Sequence, residues 1–194
     1  MYTIIVPSFI TFVFMADDLQ VIEQTKNWIR LIVVGCNFCP FASRVVKQQS
    51  IHYQVEYADT QLAGKNALLK ECERLDNDTS ISTTLLIFPD AFPVFEDYLD
   101  FVFSAEKMMK QKRYNGIYQL ASFHPLYQFA ETAIEDPANY TNRSIYPMLH
   151  LLREDDITNA LKHYPNSSKI PETNINFARG KGEAYMKMLR DSCF

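Results

Sequence analysis

Two apolar segments near the middle of the chain read ASFHPLYQFA, over residues 121–130, and MLHLLRE, over residues 148–154, with a polar connection between them. The apolar runs at the start of the first segment and through most of the second are typical of β-strands that border a core. Two of the four histidines and two arginines lie within or between these runs. We therefore predict two strands here and expect the polar residues between them to carry chemistry or ligand binding.

The rest of the chain alternates helical and strand-like segments around this pair. Apolar residues recur at helical spacing before residue 35, over residues 62–75, after residue 93, after residue 155 and again over residues 171–189. Strands are predicted at residues 51–57, 83–88, 117–123 and 148–153. The predicted fold class is α+β, a two-layer domain with helices packed on one mixed or largely antiparallel sheet of about four strands.

Composition narrows the classes of function. The 194 residues carry a net charge of −4 and contain no block of lysine or arginine. Proteins that neutralise nucleic-acid phosphates usually show a basic face, so we predict no nucleic-acid partner. The four cysteines are too few and too scattered for the framework of a small secreted domain. They are therefore predicted to be reduced thiols of a cytoplasmic protein.

The first 14 residues form an apolar run that is shorter than the ~20 residues a membrane span requires. The run lacks the basic start and the cleavage site of a signal peptide. We expect residues 1–14 to be an apolar extension from a misassigned start, with Met15 as the true start, and residues 15–194 to form a single α+β domain. The rival interpretation is an added strand or a membrane-touching tail. We predict no membrane partner.

Three residues are the candidate catalytic groups. His124 lies where the third strand ends and His150 lies on the fourth, and histidine titrates near neutral pH, which suits acid–base catalysis. Cys39 lies at an element end between Gly35 and Pro40, where a nearby histidine would make it a nucleophile. Against these roles, a histidine on an apolar strand face is commonly a hydrogen-bonded core residue. Free cysteine is commonly buried and inert.

The candidate substrate-binding residues flank these histidines along the chain. They are Asn142, Arg143, Arg153, Tyr127 and Gln128. Because arginine donates paired hydrogen bonds to carboxylate or phosphate, the predicted ligand is a small anionic molecule. The alternative is that both arginines make ordinary salt bridges with acidic neighbours.

The cysteines open two further alternatives. Cys36 and Cys39 form a C-x-x-C pair, which in a thioredoxin-like protein would be a redox dithiol, but the helical spacing before Cys36 argues against that context. Cys39, His124 and His150 form a set that zinc or iron accepts. No tight H-x-H or H-E-x-x-H spacing supports a metal. No metal ligand is therefore assigned, and the cofactor is unknown.

Four short motifs carry a resemblance to a known family. They read GCNFCPFA from residue 35, TTLL from residue 83, ASFHPLYQF from residue 121 and NYTNRSIYPMLHLLRE from residue 139. Through these motifs the chain resembles the bacterial family catalogued as domain of unknown function 1415, and the resemblance covers about residues 19–178. The resemblance implies a cytoplasmic protein and supplies no activity. The family pattern has an apolar residue at Cys36, which removes Cys36 as a candidate and keeps Cys39.

The sequence therefore predicts a small-molecule enzyme or a ligand-binding protein for an anionic metabolite. In this hypothesis a His/Arg/Asn cluster holds the ligand and Cys39 is a candidate nucleophile. The first alternative is a non-catalytic protein-interaction module, whose polar loop docks a partner. The second is a metal-binding protein that uses cysteine and histidine.

Overall fold

A computed structural model describes residues 9–57, 60–162, 164 and 166–194 of the chain, with the backbone alone described for residues 9–17. The predicted N-terminal extension, residues 1–14, lies outside the part described with side chains, and residues 1–8 lie outside the described residues altogether. Among the described helices, none combines the length and the hydropathy that a transmembrane span requires.

Four strands and seven α-helices make up the described fold. The strands are β1 (Ile51–Val55), β2 (Thr83–Ile87), β3 (Tyr118–Phe123) and β4 (Met148–Arg153). The helices are α1 (Phe9–Trp28), α2 (Ala42–Lys47), α3 (Gln61–Asn77), α4 (Phe95–Gln111), α5 (Glu154–Lys162), α6 (Ile170–Lys181) and α7 (Glu183–Asp191). A π-helical turn, Ile29–Val34, continues α1, and short 3-10 turns lie at Pro137–Thr141 and Ser167–Lys169.

The sheet has the strand order β1-β2-β4-β3. β1 and β2 are parallel, because the crossover through α3 returns the chain to the same end of the sheet. β4 is antiparallel to both of its neighbours and lies between β2 and β3. The predicted α+β class and the mixed four-stranded sheet are confirmed.

Both faces of the sheet are covered by helices, which is one layer more than the two that the sequence predicted. On one face, α1, its π turn, α6 and α7 pack on Leu85, Ile87 and Met148. On the other, α3 and α4 pack on Leu86 and Leu149. All five residues of β2 are buried, which is the pattern of a strand covered on both sides.

The π turn ends at a position that only glycine can occupy. The Gly35 N–H donates to the carbonyl of Arg30, five residues back, at 3.0 Å. A Cβ on Gly35 would collide with the backbone carbonyl oxygen of Leu31. The chain then turns through Cys39 into α2, so the prediction that Cys39 lies at an element end is confirmed.

Candidate functional site

His124 is a buried histidine with both ring nitrogens occupied. The backbone N–H of Leu126 donates to Nδ1 at 3.0 Å. The ring proton therefore lies on Nε2, which donates to the carbonyl of Phe92 at 2.8 Å. The ring packs between Phe95 and Tyr98, with centroid distances of 5.2 and 5.0 Å. Burial lowers the pKa of His124, so the ring is neutral at pH 7 and fastens the end of β3 to the start of α4.

His150 lies on the opposite face of the sheet from His124. The Thr83 hydroxyl donates its single proton to the carbonyl of Leu151 at 2.6 Å, so it accepts from His150 Nε2, 2.7 Å away. Burial lowers the pKa of His150 to about 4. The ring lies 6.2 Å from that of Phe123, within the cluster that α1 covers. The two predicted acid–base residues are therefore separated by the sheet.

Arg143 is buried and donates to the backbone of the loop that follows β3. Nε donates to the carbonyl of Tyr127 at 2.9 Å and Nη2 to that of Ile134 at 2.7 Å. The guanidinium carbon lies 4.9 Å from the centre of the Tyr140 ring, a cation–π contact. No carboxylate among the described residues pairs with this charge. In this geometry Arg143 holds the loop, and a bidentate anion on its Nε–Nη2 edge would have to replace the carbonyls of Tyr127 and Ile134.

The neighbouring amides hold the same loop. Asn142 Nδ2 donates to the Ser122 carbonyl at 3.2 Å, and Gln128 Nε2 donates to the Thr132 carbonyl at 2.6 Å. Tyr127 packs its ring against Phe95 at 5.2 Å. The two amides that predicted a binding site therefore donate to carbonyls of the protein itself.

Asn139, which the sequence predictions left out, is the most heavily bonded side chain of this loop. It is fully buried and makes four hydrogen bonds. Its oxygen accepts from the N–H of Phe129 and the hydroxyl of Thr132, and its amide donates to the carbonyls of Ala133 and Ile134. The sequence could have indicated this role. A long loop that packs needs hydrogen bonds within itself, and an amide side chain supplies both donors and acceptors.

Arg153 caps a helix. Its Nη2 donates to the carbonyl of Leu75 in the last turn of α3 at 2.6 Å, and also to those of Asp78 and Ile81, each at 3.1 Å. The Leu75 carbonyl is one that the helix end leaves without an intrahelical donor, and a cation there also complements the helix dipole; the Asp78 and Ile81 carbonyls belong to the connection that follows α3. The predicted alternative of a salt bridge with an acidic neighbour is not what this side chain makes among the described residues.

Cys39 is half-buried between the π turn and α2. Burial raises the pKa of its thiol, although the backbone N–H groups of Phe41 and Ala42 act in the opposite direction. A nucleophilic cysteine needs a lowered pKa instead. Cys39 makes no described contact with either histidine. The predicted catalytic roles of Cys39, His124 and His150 stay predictions, and in this geometry the three side chains do not converge.

A buried polar cluster that the sequence predictions missed lies between β1 and α3. Glu71 is 2% exposed and accepts from Arg74 Nε at 3.2 and 3.0 Å. His52 Nε2 lies 3.6 Å from the Glu71 carboxylate, too far for a hydrogen bond. This nitrogen and the hydroxyl of Thr84, the residue beside it on β2, are buried without a partner among the described residues. Burial is the main cause that lowers the pKa of His52; Glu71 opposes it. The missed signal was a carboxylate on the apolar stripe of α3.

A groove of about 570 Å³ lies on the other face of β1, between α1 with its π turn and α2. Its apolar lining comes from Ile29, Val45, Val46, Ile51 and Tyr53. Its polar lining comes from Glu23, Lys26, Asn27, Arg30 and Gln49. None of these ten residues was a predicted site residue. A π-helical segment is rare and frequently occurs at functional sites, and its first two residues line this groove.

The cations of the groove differ in their partners. Lys26 Nζ lies 2.6 Å from a Glu23 carboxylate oxygen and 5.8 Å from the centre of the Tyr53 ring. Arg30 donates only to the amide oxygen of Asn27, at 3.0 Å, among the described residues. The groove therefore contains one paired and one unpaired cation. No group of three or more histidine, cysteine or acidic side chains among the described residues is arranged to hold a metal ion.

A family model matches almost the whole chain. Residues 20–188 match the model described as a protein of unknown function, DUF1415. The chain belongs to the DUF1415 family. The match confirms the resemblance seen in the motifs and extends it through α6 and most of α7. No curated protein and no solved structure matches this DUF1415 chain.

Proposed function

We propose that this DUF1415 protein binds an organic anion with an apolar body in the groove between α1, α2 and β1. The observation that carries the proposal is the unpaired guanidinium of Arg30 at the side of an apolar-lined groove of about 570 Å³. Ligand sites of small molecules typically measure about 300–1,000 Å³, with mostly apolar walls and a few polar groups that fix orientation.

The charges of the groove favour an anion. Lys26 and Arg30 against Glu23 leave one net positive charge among the ten lining residues (2 − 1 = +1). Because Lys26 is already paired with Glu23, Arg30 is the group we assign to the ligand's carboxylate, sulfonate or phosphate. The apolar lining then contacts the rest of the molecule.

Binding is favoured over catalysis at this groove. Its lining residues include no histidine and no cysteine. The pKa of the Tyr53 phenol is raised to about 12, chiefly by burial and then by Glu23, so this group holds its proton at neutral pH. An enzymatic role for His124, His150 and Cys39 would require a different site.

The probe for this proposal is 8-anilinonaphthalene-1-sulfonate, a fluorescent anion with an apolar body, with octanoate as the competitor. Loss of one charge-assisted hydrogen bond costs about 1.5–3 kcal/mol, so Arg30→Gln should weaken probe binding by about tenfold or more. Arg44→Gln is the matched control, because Arg44 is an exposed arginine on α2 that does not line the groove. Equal binding by the two variants would refute the proposal. Loss of binding in His150→Leu, with Arg30→Gln unaffected, would favour the predicted histidine site instead.

A further inference from the structure

We infer that the bound anion is carried by an extended peptide segment, which adds to the open edge of β1 and places an acidic side chain beside Arg30. This inference rests on the proposed function of the groove and names the chemical class of its ligand. Extended peptides bind exposed sheet edges through main-chain hydrogen bonds, and pockets for alternate side chains give specificity.

The register of the sheet identifies which backbone groups of β1 are open. The Glu56 N–H donates to the carbonyl of Ile87 on β2, at 2.9 Å. Because backbone groups alternate in direction along a strand, those of residues 52 and 54 also point to β2. The N–H and C=O groups of Ile51 and Tyr53 therefore point away from the sheet. No hydrogen bond from the described residues reaches them.

The same two residues line the groove. Ile51 and Tyr53 contribute to its apolar wall, so the open backbone edge and the groove belong to one surface. At about 3.3 Å per residue, the five residues of β1 match a peptide of five or six residues. Every second side chain of such a peptide would face the groove.

The two edges of the sheet differ in how they are protected. Natural edge strands are commonly protected by lysine, proline, a bulge or a covering segment. β1 has the sequence IHYQV, with neither lysine nor proline. On the opposite edge strand, β3, the Ser122 carbonyl already accepts from Asn142 of the covering loop. At the end of β1, Gln54 Nε2 donates to the Val55 carbonyl at 2.8 Å, which leaves Ile51 and Tyr53 as the open stretch.

The first test changes only the peptide. The probe is an acetylated and amidated hexapeptide of alternating valine and threonine with one glutamate, titrated into the full chain and followed by backbone amide NMR. Two isomers carry N-methyl groups on alternate amides, in opposite phase. Strand addition predicts that one isomer loses at least tenfold in affinity while the other keeps it, because only one set of amides faces β1. Equal binding by both isomers would overturn the inference.

The second test changes the protein at Tyr53. Tyr53→Pro removes the outward N–H without removing a bond to β2, and proline is tolerated at strand edges. Tyr53→Val is the matched control, since it also loses the ring but keeps the N–H. We expect Tyr53→Pro to bind the hexapeptide at least fivefold more weakly than Tyr53→Val. Equal affinities, with both variants folded, would contradict strand addition.

The charge test separates this inference from the proposed function. Replacing the peptide glutamate by glutamine should weaken binding to the wild type and have no effect on Arg30→Gln. If the anilinonaphthalene sulfonate binds through Arg30 but no hexapeptide binds, the peptide inference fails and the proposed function stands. If that probe binds independently of Arg30, the proposed function fails and this inference fails with it.

Discussion

Two neighbouring threonines on β2 should respond in opposite directions to the same substitution. The Thr84 hydroxyl is fully buried and has no hydrogen-bond partner among the described residues. The Thr83 hydroxyl, by contrast, accepts from His150 and donates to the carbonyl of Leu151. Valine replaces the hydroxyl by a methyl group of similar size. Thr84→Val therefore removes an unsatisfied polar group, whereas Thr83→Val leaves the ring N–H of His150 without a partner.

The magnitudes follow from the cost of burying polar groups. A buried hydroxyl without a partner costs about 1–3 kcal/mol, so we expect Thr84→Val to raise the free energy of unfolding by about 1–2 kcal/mol. For a chain of this length, that corresponds to an increase of about 2–8 °C in Tm. Thr83→Val should lower the free energy of unfolding by about 2 kcal/mol, since the histidine N–H then stays buried and unpaired.

Urea denaturation at pH 7, followed by far-UV circular dichroism, measures both changes. The wild type and the two variants should share one m-value, because the surface exposed on unfolding is nearly unchanged. A destabilised Thr84→Val would refute the reasoning, since it would mean that the hydroxyl has a hydrogen-bond partner in solution.

Three further predictions concern the polar residues of the sheet and the loop. Burial lowers the pKa of His150 from its ordinary value of 6.5, which applies to the unfolded chain, to about 4 in the folded protein. Between these pH values the folded state therefore binds fewer protons than the unfolded state. This contribution to the free energy of unfolding should therefore be fully present above pH 6.5 and should fall by roughly 2–3 kcal/mol as the pH drops towards 4. Urea titrations should show a smaller fall for His150→Leu. Arg153→Met should cost about 2 kcal/mol and speed hydrogen exchange at the end of α3, whereas Arg44→Met should leave both unchanged. Asn139→Ala should cost about 3 kcal/mol, because the four hydrogen bonds of a buried amide are lost, and chymotrypsin should then cleave the loop after β3 faster.

The strands and helices could be predicted from periodicity because their signals are local. The run TTLLIF marked β2, and its burial on both faces is the reason it reads as continuous rather than alternating. A continuous apolar run also indicates a strand covered on both faces, and hence a third layer, whereas the predicted arrangement had two layers. The strand order depends on β4 inserting between β2 and β3, a long-range pairing that no local pattern encodes.

The site was harder to predict because the sequence shows which side chains are polar but not which groups they hydrogen-bond to in the fold. His124 and Arg143 have the residue types of an anion site, yet both bind backbone groups, at Phe92, Tyr127 and Ile134. Every residue has a backbone carbonyl, so residue types do not indicate which carbonyl will accept a hydrogen bond from a side chain. Nothing in residue identity therefore distinguishes an arginine that will bind a ligand from one that will hold a loop.

The distribution of these polar groups over the fold bears on where a ligand can bind. The loop after β3 contains Asn139 and Arg143, which donate to carbonyls of the loop itself, at Ala133 and Ile134. Each donor used in this way is unavailable to a ligand unless an internal bond breaks, at a cost of about 1–3 kcal/mol for each buried group left unpaired. At β1 this cost is smaller, since the outward backbone groups of Ile51 have no internal partner among the described residues and Arg30 donates only to the amide oxygen of Asn27. We therefore expect a ligand of equal chemistry to gain more at the β1 edge than at the histidine–arginine loop, whose polar residues first suggested a site.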